Sequence, residues 1–432
     1  MAILTPSRPP GKDPGRSVRS ADASVTDRAS GWLTHPMADV ALVLVPTAIL
    51  VGLGILMVWS ASTVIGYQKF DNALFFVQRH LVFLTIALVA GVVASRTSTQ
   101  RLRSLGWLLY VLAAFALLLT FVPGLGYGVG GNKNWLALGG PSSMLRFQPS
   151  EVAKLALVVW GASVLANKRR LLDQPKHLLV PFLPFSLLLI GLVVLQHDLG
   201  TAMIMGAIVM AILWCVGAPW RILGSIFALV AAGVGILLAT GNQSRLARIF
   251  GFLDPSADPT GVNHQPMQAL YGLATGGWLG VGLGRSRQKW GSLADAPHTD
   301  YVLAVIGEEL GVVATLIVFA LFLVLAWGGV RIALRTGTFF GRLVAASVTA
   351  WLLLQALINM MVVLRMLPVL GVPLPFLSYG SSSMLANLAA VGILVACARE
   401  EPQALAWLKR RAAARGPRRR LSMVLPGRNR DK

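Results

Sequence analysis

The sequence contains little that would support a soluble, disulfide-bonded or charge-rich protein. Only two cysteines occur in 432 residues, and both Cys215 and Cys397 lie within apolar runs. We therefore expect no disulfide framework, since an isolated buried thiol usually acts as a small hydrophobic side chain. Charged residues make up 13% of the chain, about half of the roughly 25% that is usual in soluble domains. Such a chain places most of its residues where charge is costly, which excludes an ordinary soluble domain.

Several other signals are also absent. The sequence has no Walker A pattern, no GxSxG serine and no His/Cys cluster at zinc-ligand spacing, which argues against an ATP-driven pump. The net charge is +21, but the basic residues lie between apolar runs and in the C-terminal tail, so we expect no nucleic-acid partner. Residues 1–36 are polar and lack an apolar core, which predicts a disordered cytoplasmic tail and not a cleaved signal peptide.

Long apolar runs are what the sequence has in abundance. Each is close to the roughly 20 residues that a helix needs to cross a bilayer, and helices are the form in which such segments satisfy their backbone hydrogen bonds. The sequence therefore predicts an all-α polytopic membrane protein with about ten transmembrane helices in residues 37–398. The predicted spans are 39–60, 75–95, 105–122, 151–167, 178–196, 199–217, 221–240, 302–330, 341–364 and 379–398.

The distribution of Lys and Arg predicts the orientation of these spans. Most basic residues fall on the side that holds both ends of the chain, so we expect both termini to be cytoplasmic. Residues 399–432 then form a basic cytoplasmic tail, which either lies near anionic headgroups or only satisfies the positive-inside rule. The connection between spans seven and eight, about residues 241–301, becomes a large extracytoplasmic loop and the best place to look for chemistry.

Polar groups cluster at the outer start of the fourth span. Glu151 and Lys154 can pair on one helix face, and Pro149 suits a first helical turn. This pair either anchors the helix end or contacts a substrate. Arg146, just upstream, adds positive charge at the same outer end of the span. At the turn between spans five and six, Asp198 is predicted mainly as a helix cap.

Acidic residues also mark the start of the eighth span. Asp300 lies at the expected water–membrane boundary, where it could act as a helix N-cap or reach both an aqueous sugar and a lipid-linked phosphate. Glu308 and Glu309 lie deeper, and we expect them to belong to a structural polar network. The glycine-rich segment before Asp300, which ends in Lys289, is a weak phosphate-site signal. After Arg365, the proline- and glycine-rich segment to Ser383 predicts broken backbone at membrane depth.

Five segments together resemble the SEDS (shape, elongation, division and sporulation) family, in an order that is colinear over most of residues 40–398. They read FQPSEVAKL at 147–155, FLDPSADP at 252–259, GGWLGVGLGRSRQKWG at 276–291, HTDYVLAVIGEELG at 298–311 and LPVLGVPLPFLSYGSSS at 367–383. MVWSAS at 57–62 also fits the end of that family's first helix. The family's ten-helix layout agrees with the spans predicted above.

The resemblance implies a peptidoglycan glycosyltransferase that polymerises lipid II, with inversion, and releases undecaprenyl pyrophosphate. It implies that Asp300 is the catalytic base, and that Arg146, Lys154 and Lys289 hold the pyrophosphate or headgroup. The other substrate-binding candidates are Gln148, Glu151, Gln265, Ser286, His298 and Thr299. The candidate structural network is Asp198, Glu308, Glu309 and Ser382. The sequence shows no metal cage, although a divalent cation, Mg²⁺ or Mn²⁺, could share the work.

The resemblance also implies partners and a location. We expect a class B penicillin-binding protein (a transpeptidase) and other divisome proteins as partners, membrane lipid around the chain, and the inner membrane at the division septum as its site. The division branch fits best, with the elongation branch as the near alternative. Two other functions stay open: a lipid II flippase, and a non-catalytic divisome scaffold that would tolerate loss of Asp300.

The sequence departs from the family pattern at a few positions. Just before the residue that corresponds to His298, the family usually reads Leu-Pro-Glu-Ala. Here the acid and the proline, Asp295 and Pro297, occupy other positions in that segment. His197 replaces the proline of a Gln-Pro-Asp turn, Arg365 stands where the family has glycine, and Ser381 replaces the second glycine of an SYGG element. None of these changes touches Asp300.

Overall fold

The computed structural model describes most of the chain between residues 35 and 414. The described residues are 35–129, 132–137, 146–239, 251–252, 263–290, 293 and 298–414. The predicted N-terminal tail therefore lies almost wholly outside the described residues, as do 415–432 of the C-terminal tail, Asp295 and Pro297, and much of the predicted outer loop.

The described part of the chain is mostly helical. Its α-helices are α1 (Ala38–Phe70), α2 (Phe75–Arg96), α3 (Thr99–Ser104), α4 (Gly106–Leu119), α5 (Pro149–Asn167), α6 (Pro175–Leu179), α7 (Phe182–Leu195), α8 (Leu199–Val216), α9 (Trp220–Ala239), α10 (His264–Gly276), α11 (Val302–Arg335), α12 (Phe339–Val363), α13 (Ser381–Arg399) and α14 (Pro402–Ala414). Two 3₁₀ turns occur at Arg169–Leu171 and Gln288–Trp290.

The predicted polytopic helical fold is confirmed. Within the described residues, eight helical segments are long and apolar enough to cross a membrane, with α6 and α7 counted as one span. The apolar helices Gly106–Leu119 and Trp220–Gly233 are shorter and coincide with the third and seventh predicted spans. Each of the ten predicted apolar runs therefore forms helix, because a continuous apolar segment has no other way to pair its backbone in lipid.

Helices α5 and α13 form the centre of the bundle. Of their most apolar windows, 83% and 89% of residues are buried inside the protein, against 17% for α2. Helix α13 packs closely on α2, where an added Cβ at Gly392 would lie 2.2 Å from the carbonyl oxygen of Gly91. Only glycine permits this separation, so the crossing point of the two helices is fixed by residue size.

Three elements were not predicted from the sequence. A small antiparallel sheet in the order β1 (Gly126–Val129), β2 (Asn132–Ala137) and β3 (Arg146–Phe147) connects α4 to α5. Helix α10 forms within the predicted outer loop and packs on α11. Helix α14 forms at the start of the predicted C-terminal tail. None of the three has the long apolar run on which the sequence prediction depended.

An ionic cluster joins α1, α11 and the start of α14. The Asp39 carboxylate lies 2.6 Å from Arg331 and 3.2 Å from Arg335, and Arg335 lies 3.8 Å from Glu401. Asp39 is 1% exposed, so its charge is compensated by two guanidinium groups and not by water. The cluster fixes the end of the bundle that is opposite the candidate site described below.

Candidate functional site

Asp300 lies in the turn that precedes α11, and it is half-buried. The side-chain amide of Asn359, on α12, donates 2.8 Å hydrogen bonds to the carbonyl oxygens of both Asp300 and Val372. A Cβ at Gly371 would lie 3.8 Å from Asp300 Oδ2. The N-cap residue of α11 is Tyr301, without a side-chain cap, so the helix does not use Asp300 as its N-cap. The carboxylate faces the broken segment between α12 and α13.

That broken segment has the irregular backbone predicted from its prolines and glycines. No α-helix forms between Val363 and Ser381, and Phe376 has a positive φ of 66°. The side chain of Gln355 holds the segment by donating to the carbonyl oxygen of Pro373 at 3.0 Å. Together with Asn359, this bond keeps the backbone opposite Asp300 in place without helical hydrogen bonds.

An aromatic cluster lies beside the same turn. The backbone N–H of Tyr379 donates to the carbonyl oxygen of His298 at 2.7 Å, and the two rings lie 5.3 Å apart. The ring of Phe76, from the start of α2, lies 4.8 Å from His298 and 5.4 Å from Tyr379. His298 is 4% exposed. The cluster joins the end of the outer segment to α2 and to the start of α13, with Asp300 two residues from His298.

Two arginines lie close to this cluster. Arg79 is half-buried on α2, and its guanidinium is near enough to Arg146 for the two charges to repel each other. The guanidinium of Arg146, on β3, lies 4.3 Å above the ring of Tyr127. Tyr379 is within electrostatic reach of both arginines.

Arg79 and Tyr379 were not predicted as functional residues. The signal for Arg79 was present, since an ionisable residue within an apolar span is a functional hypothesis by default. The second predicted span, 75–95, contained it. Arg146 was predicted as a functional residue, but its closeness to α2 was not. This closeness depends on the small sheet, which was not predicted and in which β3 pairs antiparallel with β2, with Arg146 opposite Ala137.

A polar network lies where β3 meets α5. Gln148 donates through its backbone N–H to Ser382 Oγ at 2.8 Å and through its side-chain amide to Asp198 at 3.0 Å. Asp198 also accepts from the side chain of Asn134 at 2.8 Å and from the backbone N–H of Thr201 at 3.0 Å. Asp198 therefore caps α8 and also fixes the segment that carries Arg146.

Glu151 and Lys154 form a buried ion pair on α5. The ammonium of Lys154 lies 2.8 Å from Glu151 Oε1 and 2.8 Å from Gln355 Oε1, and 5.4 Å from the centre of the Trp351 ring. Both charged residues are 1% exposed. The ammonium is therefore fully engaged, and through Gln355 the pair supports the broken segment opposite Asp300.

The glycine-rich loop that ends in Lys289 is bound to α11. The backbone N–H groups of Val281 and Gly282 donate to the carbonyl oxygens of Glu308 and Glu309 at 2.9 and 3.0 Å. This approach requires Gly311, which interrupts α11 at φ 82° and ψ 180° in a conformation that is essentially restricted to glycine. The loop glycines thus allow the backbone to approach the helix.

Glu308 and Glu309 receive the polar groups of this loop. Glu308 accepts hydrogen bonds from the hydroxyl of Ser286 and from the backbone N–H of Arg287. Glu309 accepts from Ser60 Oγ at 2.7 Å, from the backbone N–H of Ser286 at 3.2 Å and from Lys289 at 3.1 Å. Ser286 and Lys289, both substrate-binding candidates, therefore lie in one network with the two glutamates.

A cavity of about 790 Å³ lies next to this network, between α1 and the glycine-rich loop. Lys289 and Ser60 form its polar part, and Trp59, Tyr67 and Trp290 are large exposed aromatics along it. Aromatic residues of this kind are typical of a membrane–water interface. The cavity was not predicted, because it depends on a contact between segments more than 200 residues apart.

The other candidates lie in different surroundings. Thr299 is half-buried beside Asp300, and Gln265 is half-buried on α10. Arg365 has a positive φ of 56°, and its guanidinium donates to the carbonyl oxygen of Gly251 and the sulfur of Met267. Among the described residues, no three His, Cys, Asp or Glu side chains converge as a metal site.

Comparison of the sequence with known proteins identifies a family. The model of the FtsW, RodA and SpoVE family, described as a cell cycle protein, matches residues 41–403. The probable peptidoglycan glycosyltransferase FtsW of Mycobacterium tuberculosis is 36% identical over 396 residues, which cover 92% of this chain and 74% of that protein. Stage V sporulation protein E of Bacillus subtilis is 36% identical over 362 residues, or 84% of this chain and 97% of that protein.

Solved structures agree with this result. The rod shape determining protein RodA of Thermus thermophilus superimposes with a TM-score of 0.60 at 27% identity, over 86% of this chain and 99% of that chain. A chain from a structure described as "Structural coordination of polymerization and crosslinking by a peptidoglycan synthase complex" has a TM-score of 0.67 at 27% identity, over 84% and 98%. The resemblance noted in the sequence motifs is confirmed, and this chain belongs to the FtsW/RodA/SpoVE family.

Proposed function

We propose that this protein is a peptidoglycan glycosyltransferase that polymerises lipid II into glycan strands during cell division, with Asp300 as its catalytic base. Relatives that match over most of both chains are named for this activity. The observation that carries the assignment is the position of Asp300. This half-buried residue lies on a turn that Asn359 holds by a hydrogen bond. On one side of the turn is the irregular backbone between α12 and α13, and on the other is the cluster of His298, Tyr379 and two arginines.

The chemistry needs a base and a site for developing negative charge. The 4-hydroxyl of the acceptor sugar attacks the anomeric carbon of the lipid-linked donor sugar, and its proton passes to the Asp300 carboxylate. The bond from the anomeric carbon to the pyrophosphate oxygen breaks, its electron pair leaves with undecaprenyl pyrophosphate, and the configuration inverts. Asn359 fixes the backbone of Asp300, which limits the motion of the base during proton transfer.

The predicted cations take different roles in this proposal. Arg146 lies at the mouth beside the aromatic cluster and contacts the pyrophosphate or headgroup. Lys154 and Lys289 already form ion pairs with Glu151 and Glu309, so in this proposal they stabilise the segments around the site and do not contact the substrate. His298 and Thr299 line the turn that carries Asp300, and Gln148 orients β3.

A divalent cation would enter this site with its substrate. Asp300 could offer the ion one carboxylate, and the pyrophosphate oxygens of the substrate would supply most of its other ligands. Mg²⁺ is commonly bound in this way, through one or two carboxylates plus substrate phosphates. Mg²⁺ or Mn²⁺ would neutralise charge on the leaving group there.

We also propose that the protein works at the septum in the inner membrane, with a class B penicillin-binding protein as its partner. The similar chain of known structure belongs to a complex that coordinates polymerization and crosslinking, and crosslinking is transpeptidase chemistry. Helix α11 presents apolar residues outward, including Leu316, Ile317 and Trp327, which lipid or a partner's transmembrane helix can cover. The distribution of basic residues favours a cytoplasmic position for both termini.

The experiment is lipid II polymerisation by the purified protein with its cognate transpeptidase. Asp300→Asn should abolish polymer while the variant still folds and binds its partner. Asp71→Asn is the matched control, because Asp71 is an exposed carboxylate that ends α1 with a φ of 49°, a conformation that Asn tolerates. Equal polymer from wild type and Asp300→Asn would remove Asp300 from the chemistry. No polymer from a folded, partner-bound wild type would contradict the proposed activity.

A further inference from the structure

A basic cavity lies at the end of the bundle that is opposite the candidate functional site. Its volume is about 360 Å³, and it lies where α2 and α13 end, beside α14. The charged residues that line it are Arg96 from the last turn of α2, Arg399 from the last turn of α13, Glu400, and Lys409 from α14. Three positive charges and one negative charge give the lining a net charge of +2.

The protein uses these cations only in part. Arg399 donates one hydrogen bond, to the carbonyl oxygen of Ser95 at 3.0 Å. Arg96 and Lys409 are exposed, and within the described part of the chain neither forms an ion pair. Like charges that line one cavity repel each other, so an anion that enters it is attracted by all three cations.

The carboxylate of the lining is engaged with a different helix. Glu400 accepts hydrogen bonds from the backbone N–H of Thr99, at 2.9 Å, and from the hydroxyl of the same residue. The two bonds use both carboxylate oxygens, and donors of this kind stabilise a negative charge. Thr99 begins α3, so Glu400 connects the end of α13 to α3 and is not the counter-charge of the cavity's cations.

Apolar side chains complete the lining and indicate the kind of anion. Ala396, Leu405 and Leu408 lie beside the cations. Leu405, Leu408 and Lys409 have the i, i+3, i+4 spacing of neighbours on a helix surface, so one face of α14 presents both hydrocarbon and charge. A soluble phosphate or an acidic peptide makes little use of the hydrocarbon, whereas a phospholipid carries a phosphate next to its acyl chains.

Helix α14 also lies at the depth where phospholipid headgroups are found. Helices α2 and α13 are both long and apolar enough to cross a membrane, so their last turns reach its surface. In α14 the half-buried Trp407 is followed by basic residues, and the Arg411 guanidinium lies 5.1 Å above its ring. Such helices lie in the plane of the interface. The distribution of basic residues favours the cytoplasm for this end, where basic pockets between transmembrane helices bind anionic headgroups.

We propose that this cavity binds an anionic glycerophospholipid, with the phosphodiester among Arg96, Arg399 and Lys409 and an acyl chain along Leu405 and Leu408. The two guanidinium groups match phosphate oxygens in geometry, and the ammonium adds a third positive charge. The bound lipid joins the ends of α2 and α13 to α14. This site is independent of the proposed glycosyltransferase function, because it lies at the opposite end of the bundle.

The test measures lipid binding by the full-length protein in micelles of neutral detergent. Phosphatidylglycerol, phosphatidylethanolamine and glycerol 3-phosphate are titrated separately, and native mass spectrometry gives the affinity of the first bound molecule. Phosphatidylglycerol should bind at least about tenfold more tightly than phosphatidylethanolamine, because the ammonium of the latter adds a further positive charge to the cavity. Glycerol 3-phosphate should bind more weakly than phosphatidylglycerol, because it has no acyl chain.

Two double variants with the same loss of charge separate a specific site from general attraction to a basic surface. Arg96→Gln with Lys409→Gln removes two cations of the lining, and the affinity for phosphatidylglycerol should fall at least about tenfold. Arg101→Gln with Arg410→Gln removes two exposed cations of α3 and α14 that do not line the cavity, and it should keep the wild-type affinity. Arg96→Lys with Lys409→Arg keeps both charges and should retain most of the binding.

A second measurement uses the wild type alone. Hydrogen exchange of the backbone amides of residues 402–411 should slow when phosphatidylglycerol is added and should not change with phosphatidylethanolamine, because the bound lipid holds α14 against the ends of α2 and α13. Unchanged exchange with both lipids would overturn the proposal, whether or not the variants fold.

The other outcomes also decide the proposal. Equal weakening in the two charge-removing double variants would overturn it, since the attraction would then belong to the basic surface as a whole. Equal affinity for phosphatidylglycerol and phosphatidylethanolamine would show that the cavity does not select an anionic lipid. Glycerol 3-phosphate that binds as tightly as phosphatidylglycerol would replace the lipid with a soluble phosphate. Weaker binding only in the variant that lacks Arg96 and Lys409 would support the site.

Discussion

The ammonium group of Lys289 lies 3.1 Å from a carboxylate oxygen of Glu309, and the two side chains are 5% and 0% exposed. The pair connects the glycine-rich loop to α11, and Ser60 of α1 donates to the same carboxylate. Two neighbouring segments of the chain and a third from more than 200 residues away therefore meet at one buried charge pair. Loss of either charge leaves the other uncompensated, which is more costly than loss of both.

We expect Glu309→Gln to lower the free energy of unfolding by about 3 to 5 kcal/mol, because the Lys289 charge stays buried without its partner. Lys289→Met should have an effect of similar size. The double variant should lose clearly less than the sum of the two single losses. Denaturant titrations in mixed micelles give the three values, and additive losses would show that the pair is not coupled.

Gly311 should be one of the least replaceable glycines in α11. Its φ is 82°, and an added Cβ would lie 2.3 Å from the carbonyl oxygen of Trp278. Gly311→Ala should therefore displace the glycine-rich loop and lower stability by several kcal/mol, since both strain and steric overlap are introduced. Limited proteolysis within residues 277–290 and the thermal unfolding midpoint would measure the two effects.

Gly206→Ala is the matched control for this substitution. Gly206 lies within α8, and nothing is within 4 Å of an added Cβ. The change should leave stability unaltered or raise it by up to about 1 kcal/mol, because alanine favours helix more than glycine does. Equal losses in the Gly311 and Gly206 variants would mean that the Gly311 backbone does not limit folding.

The sequence predicted the membrane spans well because a bilayer leaves few choices for a long apolar segment. It could not predict which polar groups meet. Lys289 was assigned to an anion-binding loop, and its partner Glu309 was assigned to a separate network, although the structure places them in one. Arg79 was contained in a predicted span but overlooked, because its neighbours Tyr379 and Arg146 come from segments that only the folded chain brings to α2.

Arg365 gives a direct test of backbone strain at a family glycine. Its φ of 56° is a left-handed conformation that costs a residue with a Cβ roughly 1 to 2 kcal/mol, which accounts for the glycine that the family has at this position. Arg365→Gly and Arg365→Ala both lose the guanidinium contacts with Gly251 and Met267. They differ only in the Cβ, so the glycine variant should be more stable than the alanine variant by about 1 kcal/mol.

Thermal or denaturant unfolding of the two Arg365 variants, measured in the same detergent, gives this difference. Equal stability would mean that the turn after α12 relaxes out of the left-handed region when the guanidinium contacts are lost. A more stable alanine variant would contradict the assigned backbone conformation.

Glu401 should make stability depend on pH. Burial raises the pKa of this carboxyl above its ordinary value of 4.5, and the charge of Asp39 adds to the effect, against the opposing influence of Arg335 and Arg331. An acid whose pKa is higher in the folded state binds more protons there than in the unfolded state. Its stabilising contribution is therefore complete below the ordinary pKa and is lost as pH rises through the folded pKa.

Glu401→Gln isolates this contribution, because glutamine has a similar shape and does not titrate. The unfolding midpoint of the wild type, relative to that of the variant, should fall as the pH is raised from about 4.5 and should level off once the folded-state carboxyl is ionised. All other titrating groups are common to the two proteins and cancel in the difference. If the difference between the two unfolding midpoints is constant or rises with pH, the effect of the two arginines on the Glu401 pKa outweighs burial and the Asp39 charge. Glu401 would then belong to the ionic cluster as a fully ionised carboxylate at neutral pH.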